Sequence, residues 1–212
     1  MASIYKFTIG EATALEYHDQ RHTPHHSNTE IDSDRSGDNY SLVDHGSLSD
    51  LQYLHQRLDE VAHINRRDLI VDAGIIVTKP AEVPPQYTKQ FFEEAANFIK
   101  ERYGAENVFK AQVHLDETTP HCHFGVVPVM PATGQQAARG YSERLCFNDR
   151  FNRYEYQTFH YDLQKHMYKS GIPGADKVIN GATAKQGGAR TVRELKQRTY
   201  EREHRYDHLR DR

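Results

Sequence analysis

Apolar residues recur at the spacing of a helix face in three segments of the chain. The first predicted helix begins at Ser49, which opens a capping box with Gln52. The second is capped by Thr88 and ends before Gly104, and the third extends over residues 148–170 from a cap at Asn148. The stripes are Leu51, Leu54, Leu58, Val61 and Ile64; then Phe91, Phe92, Ala95, Phe98 and Ile99; then Phe151, Phe159, Leu163 and Met167.

Shorter apolar runs predict strands. Residues 4–9 form a short strand with alternating faces, followed by a short helix or turn over residues 12–22. Residues 69–78 are almost continuously apolar, which is typical of a central strand covered on both faces. Residues 108–113 and 121–127 form two further strands, and the intervening turn contains Pro120, which fixes φ. We therefore expect the last two strands to pair as a hairpin.

Three histidines flank the turn of this hairpin. His121 and His123 lie two residues apart on one strand, so their side chains point to the same face, and His114 lies on the partner strand. Two such histidines alone are usually half-buried polar residues, but the combination HxDE and PHxH on two apolar strands is much rarer. Three neutral imidazoles can form one face of a metal site and leave other positions open. They suit Mn²⁺, Co²⁺ or Zn²⁺ better than Mg²⁺.

The predicted elements indicate an α+β domain. A central antiparallel β-sheet carries the three-histidine metal site on one face, and helices pack against the other face. The 212 residues suffice for one domain with an appendage. We assign residues 1–190 to this domain. Residues 191–212 form an Arg-rich helix that we expect to begin a longer C-terminal region. Residues 130–140 are predicted to be a loop, and so is the polar segment 23–44.

Composition narrows the class of protein. No apolar run approaches the roughly 20 residues that span a bilayer, and the amino terminus lacks a signal-peptide pattern. Two cysteines imply no disulfide framework, so we expect a cytoplasmic protein. A net charge of -3 gives no general argument for nucleic-acid binding. The positive charge is nevertheless concentrated in the tail from Lys185 onward.

Three motifs, in their order along the chain, resemble the Mob/Pre (MOBV) family of plasmid mobilisation relaxases, within the HUH endonuclease superfamily. They are His18-Asp19-Gln20-Arg21, Asn39-Tyr40-Ser41-Leu42 and the hairpin sequence from His114 to His123. The resemblance covers residues 4 to about 195. It implies an HUH relaxase fold and an enzyme that nicks one DNA strand at a plasmid origin of transfer. Such an enzyme stays covalently attached to the 5′ phosphate and rejoins the strand, which initiates conjugative mobilisation.

The resemblance also implies a divalent metal on His114, His121 and His123, commonly manganese or magnesium. We expect Mn²⁺ because three imidazoles suit it better than Mg²⁺. Nicking is an in-line displacement at phosphorus, which requires a nucleophile and neutralisation of charge on oxygen. A metal with open positions fits that requirement.

The nucleophile is assigned by resemblance to His18. Imidazole, with a pKa of about 6.5, is mostly neutral at pH 7 and attacks without deprotonation, giving a phosphoramidate. Most HUH enzymes use tyrosine, so Tyr17 and Tyr40 remain the alternatives. Glu117 is expected to accept the other ring N–H of His18. Asp116 is either a partner of a ligand histidine or a plain turn acid.

The expected partner is origin-of-transfer DNA, as a single strand with an adjacent duplex or hairpin. We also expect self-association through the C-terminal region. For Arg21 an ordinary surface role is the alternative to holding phosphate. The candidate DNA contacts are Arg21, His26, Asn39, Arg66, Arg67, Lys185 and Arg190.

Two other classes of function fit parts of the sequence. Cupin-like enzymes of small molecules also carry HxH strands, and a DNA-binding module can hold a structural metal. A replication initiator or transposase of the HUH superfamily shares the chemistry of a relaxase. The pairing of His18 with Arg21 and the basic residues argue against the first two, and only the family resemblance favours mobilisation over replication.

Overall fold

The computed structural model describes residues 2–21 and 31–178. A 3-10 helix, Ser33–Asp38, precedes β2. In chain order the strands and helices are β1 (Ala2–Thr8), α1 (Ile9–Asp19), β2 (Tyr40–Ser41), α2 (Asp50–Glu60), β3 (Ile70–Thr78), α3 (Thr88–Tyr103), β4 (Val108–His114), β5 (His121–Val126), β6 (Val129–Pro131), α4 (Gln135–Ala138), β7 (Glu143–Leu145), α5 (Phe147–Arg150) and α6 (Arg153–Lys169). Within these ranges, no helix combines the length and apolar character needed to cross a membrane.

Five strands form one antiparallel sheet in the order β1-β3-β5-β4-β2. The predicted central strand is confirmed, because β3 pairs with β1 on one edge and with β5 on the other. The predicted hairpin is confirmed as well. β4 and β5 pair so that His114 lies directly opposite His121. The expected α+β class is therefore the class of this domain.

The two faces of the sheet differ because side chains alternate along each strand. On β5, Cys122, Phe124 and Val126 join the main apolar core with α3 and α6, and we call this side the apolar face. His123 and Gly125 point to the opposite side, the site face. Helices cover this side too, since α1 and α2 contribute to a second, smaller apolar cluster there.

A β-bulge shapes the site face. Val108 pairs with Val126 but Lys110 pairs with Gly125, so Phe109 is an extra residue in β4. Phe109 lies over Gly125, where an added Cβ would come within 2.4 Å of the phenyl ring. Only glycine leaves room for that ring. The bulge thereby places Phe109 and Lys110 on the same side of the sheet.

The first predicted helix is confirmed at its start and wrong at its end. Ser49 and Gln52 form the capping box of α2. The helix ends at Glu60, and Val61 adopts an extended conformation. Ala62 then bridges to the β7 strand, which draws the chain out of the helix. Ile64, predicted to be part of the buried stripe, is consequently 75% exposed.

The other helix starts also differ from the predictions. Thr88 is the first residue of α3 rather than its cap, because the preceding turn, Pro85–Tyr87, leads directly into the helix. Gly104 ends that helix with a φ of 89°, as expected. Asn148 does not cap the long helix. It lies within α5, and Asn152 caps α6 by accepting the backbone N–H of Glu155 at 3.1 Å.

Local capping also corrects the amino-terminal prediction. Ile9 was expected to end the first strand, but it begins α1, because Thr8 and Glu11 form a capping box. Residues 130–140 are not a plain loop, since β6 and β7 pair around α4. The division between residues 1–190 and 191–212 stays a prediction, because residues 179–212 lie outside the described residues.

Candidate active site

The hairpin brings its three histidine rings together at one end of the sheet. The ring centroids of His114 and His121 are 5.3 Å apart. His123 lies 5.0 Å from each of the other two rings. His114 is fully buried, whereas His121 and His123 are partly exposed. The three predicted metal ligands therefore form one cluster that is open on one side.

The ring nitrogens are arranged as a metal site requires. Nδ1 of His121 lies 2.8 Å from the carbonyl oxygen of Thr119, and Nδ1 of His123 lies 2.8 Å from Oδ1 of Asp19. When each Nδ1 donates its proton to these acceptors, each Nε2 keeps a free lone pair. Nε2 of His114 is buried and has no hydrogen-bond partner among the described residues. The Nε2 atoms of His121 and His123 thus fit a divalent metal that accepts nitrogen ligands.

Asp19 belongs to this cluster although it was not predicted. Asp19, His114 and His123 each offer an atom able to bind metal, and these atoms lie within 4.8 Å of one another. Oδ1 of Asp19 is 3.5 Å from Nε2 of His114. One carboxylate therefore contacts two of the three predicted ligands.

Burial keeps His121 and His123 neutral. It lowers the pKa of His123 to about 4, partly offset by Asp19, and it also lowers the pKa of His121. Only the neutral ring offers a lone pair to a metal. Both rings are therefore in the metal-binding form at neutral pH.

Arg21 is at the centre of a second group of contacts beside the histidines. Its Nε and Nη2 donate to the two carboxylate oxygens of Asp116 at 2.9 and 2.7 Å, and Nη2 also lies 2.8 Å from Oε1 of Glu117. Nη2 is 2.9 Å from Nδ1 of His114, and Nη1 is 3.4 Å from Nε2 of His18. The sequence led us to expect Arg21 to hold phosphate. The structure places its guanidinium between the hairpin turn and the predicted nucleophile, with 8% of the side chain exposed.

Asp116 anchors this arrangement. Although burial alone would raise its pKa, hydrogen bonds from Arg21, Ser36 and Asn39 hold the pKa well below its usual range. Its backbone oxygen also accepts the N–H of Asp32 at 2.8 Å. Asp116 is therefore an ionised, fully buried structural acid and not a plain turn residue.

Asn39 was predicted to contact DNA, and the structure places it against the hairpin. Its Oδ1 accepts the backbone N–H of Leu115 at 2.7 Å, and its Nδ2 lies 3.4 Å from Nδ1 of His114. Asn39 thus supports the strand end that carries His114.

His18 lies one residue before the end of α1, next to Asp19. It is partly buried, and burial lowers its pKa. Arg21 and His114 lower it further, whereas the charges of Asp19 and Glu117 raise it. An imidazole in this position is neutral at pH 7 and therefore nucleophilic.

The two tyrosine alternatives differ in position. Tyr40 packs against the core of the apolar face, and burial raises the pKa of its hydroxyl to about 12. That hydroxyl is far from the form in which a phenol attacks phosphorus. Tyr17 is 54% exposed and precedes His18 on α1.

The predicted basic residues are not all brought to the histidines. Arg66 and Arg67 are exposed in the loop before β3, next to the Ile70 end of that strand, whereas His121 pairs with its Thr78 end. The eight-residue offset corresponds to about 26 Å. Three of the predicted contacts, His26, Lys185 and Arg190, lie outside the described residues.

Sequence reasoning missed Asp19, Ser36 and Lys110. Lys110 interrupts an apolar strand, and a charged residue in such a run indicates a buried partner. Asp19 lies within the same motif as His18. Ser36 donates to Asp116 at 2.8 Å, and nothing in its surroundings in the sequence distinguishes it from other polar loop residues.

Comparison with known families gives a match to the family described as plasmid recombination enzyme, over residues 1–177. A plasmid recombination enzyme of Bacillus thuringiensis is 30% identical over 172 residues, which cover 79% of this chain and 36% of that protein. A type 3 enzyme of Mammaliicoccus lentus is 34% identical over 168 residues, covering 72% and 39% respectively. The chain thus spans less than half the length of these relatives.

Solved structures of one protein domain are also similar to this chain. The MobM relaxase domain, bound to manganese and plasmid oriT DNA, superposes with a TM-score of 0.74 at 30% identity. The match covers 93% of this chain and 97% of that domain. A second structure of that domain with oriT DNA gives a TM-score of 0.72.

Proposed function

Because the chain belongs to the plasmid recombination enzyme family, Mob/Pre, we propose that it is a DNA relaxase. In this proposal it nicks and rejoins one DNA strand at a plasmid origin of transfer. The observation that carries the proposal is the convergence of His114, His121 and His123 beside His18. The MobM relaxase domain, which this chain resembles in structure, is bound to oriT DNA, and this supports DNA as the substrate.

His114, His121 and His123 would hold the divalent metal, which we propose to be Mn²⁺. Such an ion, when bound, neutralises charge on the oxygens of the scissile phosphate. The manganese in the related relaxase domain supports this choice of ion for the same fold. Asp19 orients His123 through the 2.8 Å contact with Nδ1, and Thr119 does the same for His121.

His18 would be the nucleophile. A lone pair of its neutral ring attacks phosphorus, the P–N bond forms, and the P–O3′ bond breaks, which releases a 3′ hydroxyl end. The other ring nitrogen loses its proton to Glu117, the proposed acceptor, the leaving 3′ oxygen takes up a proton from water, and a phosphoramidate to the 5′ phosphate results. Rejoining is the reverse attack by the 3′ oxygen. Arg21, held by Asp116 and Glu117, keeps its positive charge next to His18.

The test is incubation of the chain with Mn²⁺ and a supercoiled plasmid that carries its cognate origin. A relaxase yields nicked, protein-linked DNA, whereas a small-molecule enzyme or a binding module leaves the plasmid supercoiled. Absence of nicking at every manganese concentration would contradict the proposal.

The linkage chemistry tests the nucleophile separately. A phosphoramidate to His18 breaks in mild acid and withstands alkali, whereas a tyrosine phosphodiester withstands mild acid. His18→Ala should nick at the background rate and still bind origin DNA. Tyr17→Phe and Tyr40→Phe are the matched controls and should remain active. An acid-stable adduct, or an inactive Tyr17→Phe with an active His18→Ala, would move the assignment to tyrosine.

A further inference from the structure

Lys110 is a charged residue with almost no access to solvent, since only 1% of its side chain is exposed. It lies on the site face, beneath α1, because it is four residues from His114 on β4 and pairs with Gly125. Taking an ammonium group out of water costs several kcal/mol unless a partner compensates. Its partners therefore indicate why a lysine stands in an otherwise apolar strand.

The closest partner of Lys110 is Asp19. Nζ of Lys110 donates to Oδ2 of Asp19 at 2.7 Å, and it lies 3.9 Å from Oε2 of Glu16. Although burial alone would lower the pKa of Lys110, the carboxylates of Asp19, Asp72 and Glu16 raise it. The side chain is therefore a cation at neutral pH.

Other carboxyl groups surround this ammonium without receiving its hydrogen bond. Glu16, Asp50 and Asp72 each have a buried oxygen with no hydrogen-bond partner among the described residues. The charge of Lys110 acts on the pKa of all three. Within the described residues the short contact of Lys110 is nevertheless with Asp19. The geometry thus indicates that Lys110 forms a specific ion pair with Asp19, beyond neutralising the carboxylates around it.

The second oxygen of Asp19 points at the histidines. Oδ1 lies 2.8 Å from Nδ1 of His123 and 3.5 Å from Nε2 of His114. A carboxylate held at one oxygen can rotate about its Cβ–Cγ bond, but one held at both oxygens has a fixed plane. Asp19 is also the last residue of α1 and follows His18 directly. Its contact with β4 therefore ties the end of α1 to the sheet.

We propose that Lys110 is a positioning residue for the metal site, acting through Asp19 to fix the orientation of His123. This inference rests on the proposed metal site. Because only 1% of its side chain is exposed, Lys110 acts through Asp19 and not on the DNA or the metal directly. It holds the carboxylate that keeps the proton of His123 on Nδ1, so that Nε2 offers its lone pair.

The test measures Mn²⁺ affinity by titration calorimetry on the 212-residue chain. Lys110→Met should bind Mn²⁺ about tenfold more weakly, at the lower end of the effect of losing a group that orients a metal ligand. Lys100→Met is the matched control, because Lys100 is on α3, on the apolar side of the sheet, and donates to the backbone oxygen of Leu42 at 2.9 Å. Its affinity should stay within twofold of the wild type.

A double-mutant cycle tests the route through Asp19. In an Asp19→Asn background, Lys110→Met should change the affinity by less than twofold, because the carboxylate that it holds is already gone. Two independent losses that multiply would overturn the proposal. Nitrogen-15 shifts of His123 in the metal-free protein give a second readout. The fraction of rings with the proton on Nδ1 should fall in Lys110→Met.

Folding is checked by circular dichroism. If Lys110→Met does not fold, Lys110→Met combined with Asp72→Asn removes a buried carboxyl together with the ammonium and carries the same expectation. A folded variant with wild-type affinity and an unchanged tautomer would make Lys110 purely structural and leave the proposed function intact. A wild-type chain that binds no Mn²⁺ would overturn the metal site and this inference together.

Discussion

The two faces of the central sheet are built from the same strands but from different chemistry. On the apolar face, Phe124 and Val126 pack against α3 and α6, whose inner residues are phenylalanine, isoleucine, leucine and methionine. On the site face, the neighbouring residues of the same strand are His123 and Gly125. Lys110, Asp19 and Asp72 are buried there within a much smaller apolar cluster.

The difference shows how one domain combines stability with chemistry. Burial of apolar side chains stabilises the fold and requires no charged partner. Each buried charge on the site face, by contrast, requires an oppositely charged or hydrogen-bonding partner beside it. Alternation along a strand lets the two requirements be met independently. Changes on the apolar face should therefore affect stability alone, whereas changes on the site face should act through the charge or ligand that they remove, on metal binding or on stability.

The largest effect is expected from a ligand on the site face. His121→Ala should lower Mn²⁺ affinity by more than about 100-fold and abolish nicking at limiting manganese, because one of three nitrogen ligands is lost. The free energy of unfolding of the metal-free chain should change little, since His121 is partly exposed. Calorimetry and a plasmid nicking assay measure the two quantities. Full nicking by this variant at limiting manganese would contradict the assignment of His121.

The converse change lies on the apolar face. Leu163→Ala on α6 should reduce the free energy of unfolding by about 3 kcal/mol, because Leu163 is completely buried and the smaller side chain leaves a cavity. Denaturant titration measures the loss. Mn²⁺ affinity of the folded protein should remain within about twofold. A large loss of affinity in this variant would mean that the two faces are coupled.

A pH-dependent effect is expected from Asp72, on the site face. Burial raises its pKa to about 7, and Oδ1 accepts the N–H of Val126 at 3.2 Å. Between about pH 4 and 7 the folded chain keeps a proton that the unfolded chain has lost, so this group makes stability fall as pH rises. Asp72→Asn should remove that loss and be up to about 4 kcal/mol more stable than the wild type above pH 7.

The advantage of Asp72→Asn should shrink as the pH falls to about 4 and below, where the wild-type carboxyl becomes protonated in the unfolded state as well. Unfolding curves at several pH values measure it. Asp59→Asn, at an exposed position of α2, is the matched control and should show no such trend. A constant difference between Asp72→Asn and the wild type at all pH values would contradict the raised pKa.

The smallest effect is expected outside both faces. Arg66 and Arg67 are exposed at the end of the sheet remote from His121, so a role in binding DNA is limited to phosphates of flanking duplex. Replacing either with Ala should lower the slope of log affinity against log salt by about 1 and leave nicking of a minimal single strand unchanged. Binding assays at several salt concentrations measure this slope. An unchanged slope in both variants would remove these arginines from the DNA interface.

Local patterns in the sequence predicted much of this fold and site. The hairpin, the capping box at Ser49 and the grouping of His114 with His121 and His123 follow from alternation, turn residues and caps, which act over a few positions. Ile64 was misplaced because pairing of Ala62 with β7, some 80 residues later, ended the helix early. Asn148 did not cap the long helix because it belongs to a separate short helix, α5, which ends at Arg150 before α6 begins at Arg153.

Contacts between distant segments were the hardest part of the site to predict. Arg21 reaches Asp116 across 95 positions, and Lys110 reaches Asp19 across 91. No periodicity encodes such pairs. Lys110 lies on the site face by ordinary alternation from His114, but the bulge also brings Phe109 to that face, where regular alternation would place it on the opposite one.

The pairing of His114 with His121 sets the register of the hairpin, and the register decides to which face each side chain points. An inserted residue between His121 and His123 would send one of the two rings to the apolar face, among phenylalanines. An insertion next to the exposed Thr118, between Glu117 and Thr119, would leave every pair of the ladder in phase. Length variation is therefore expected to be tolerated at the tip of the hairpin and excluded from its strands, whatever the chemical nature of the inserted residue.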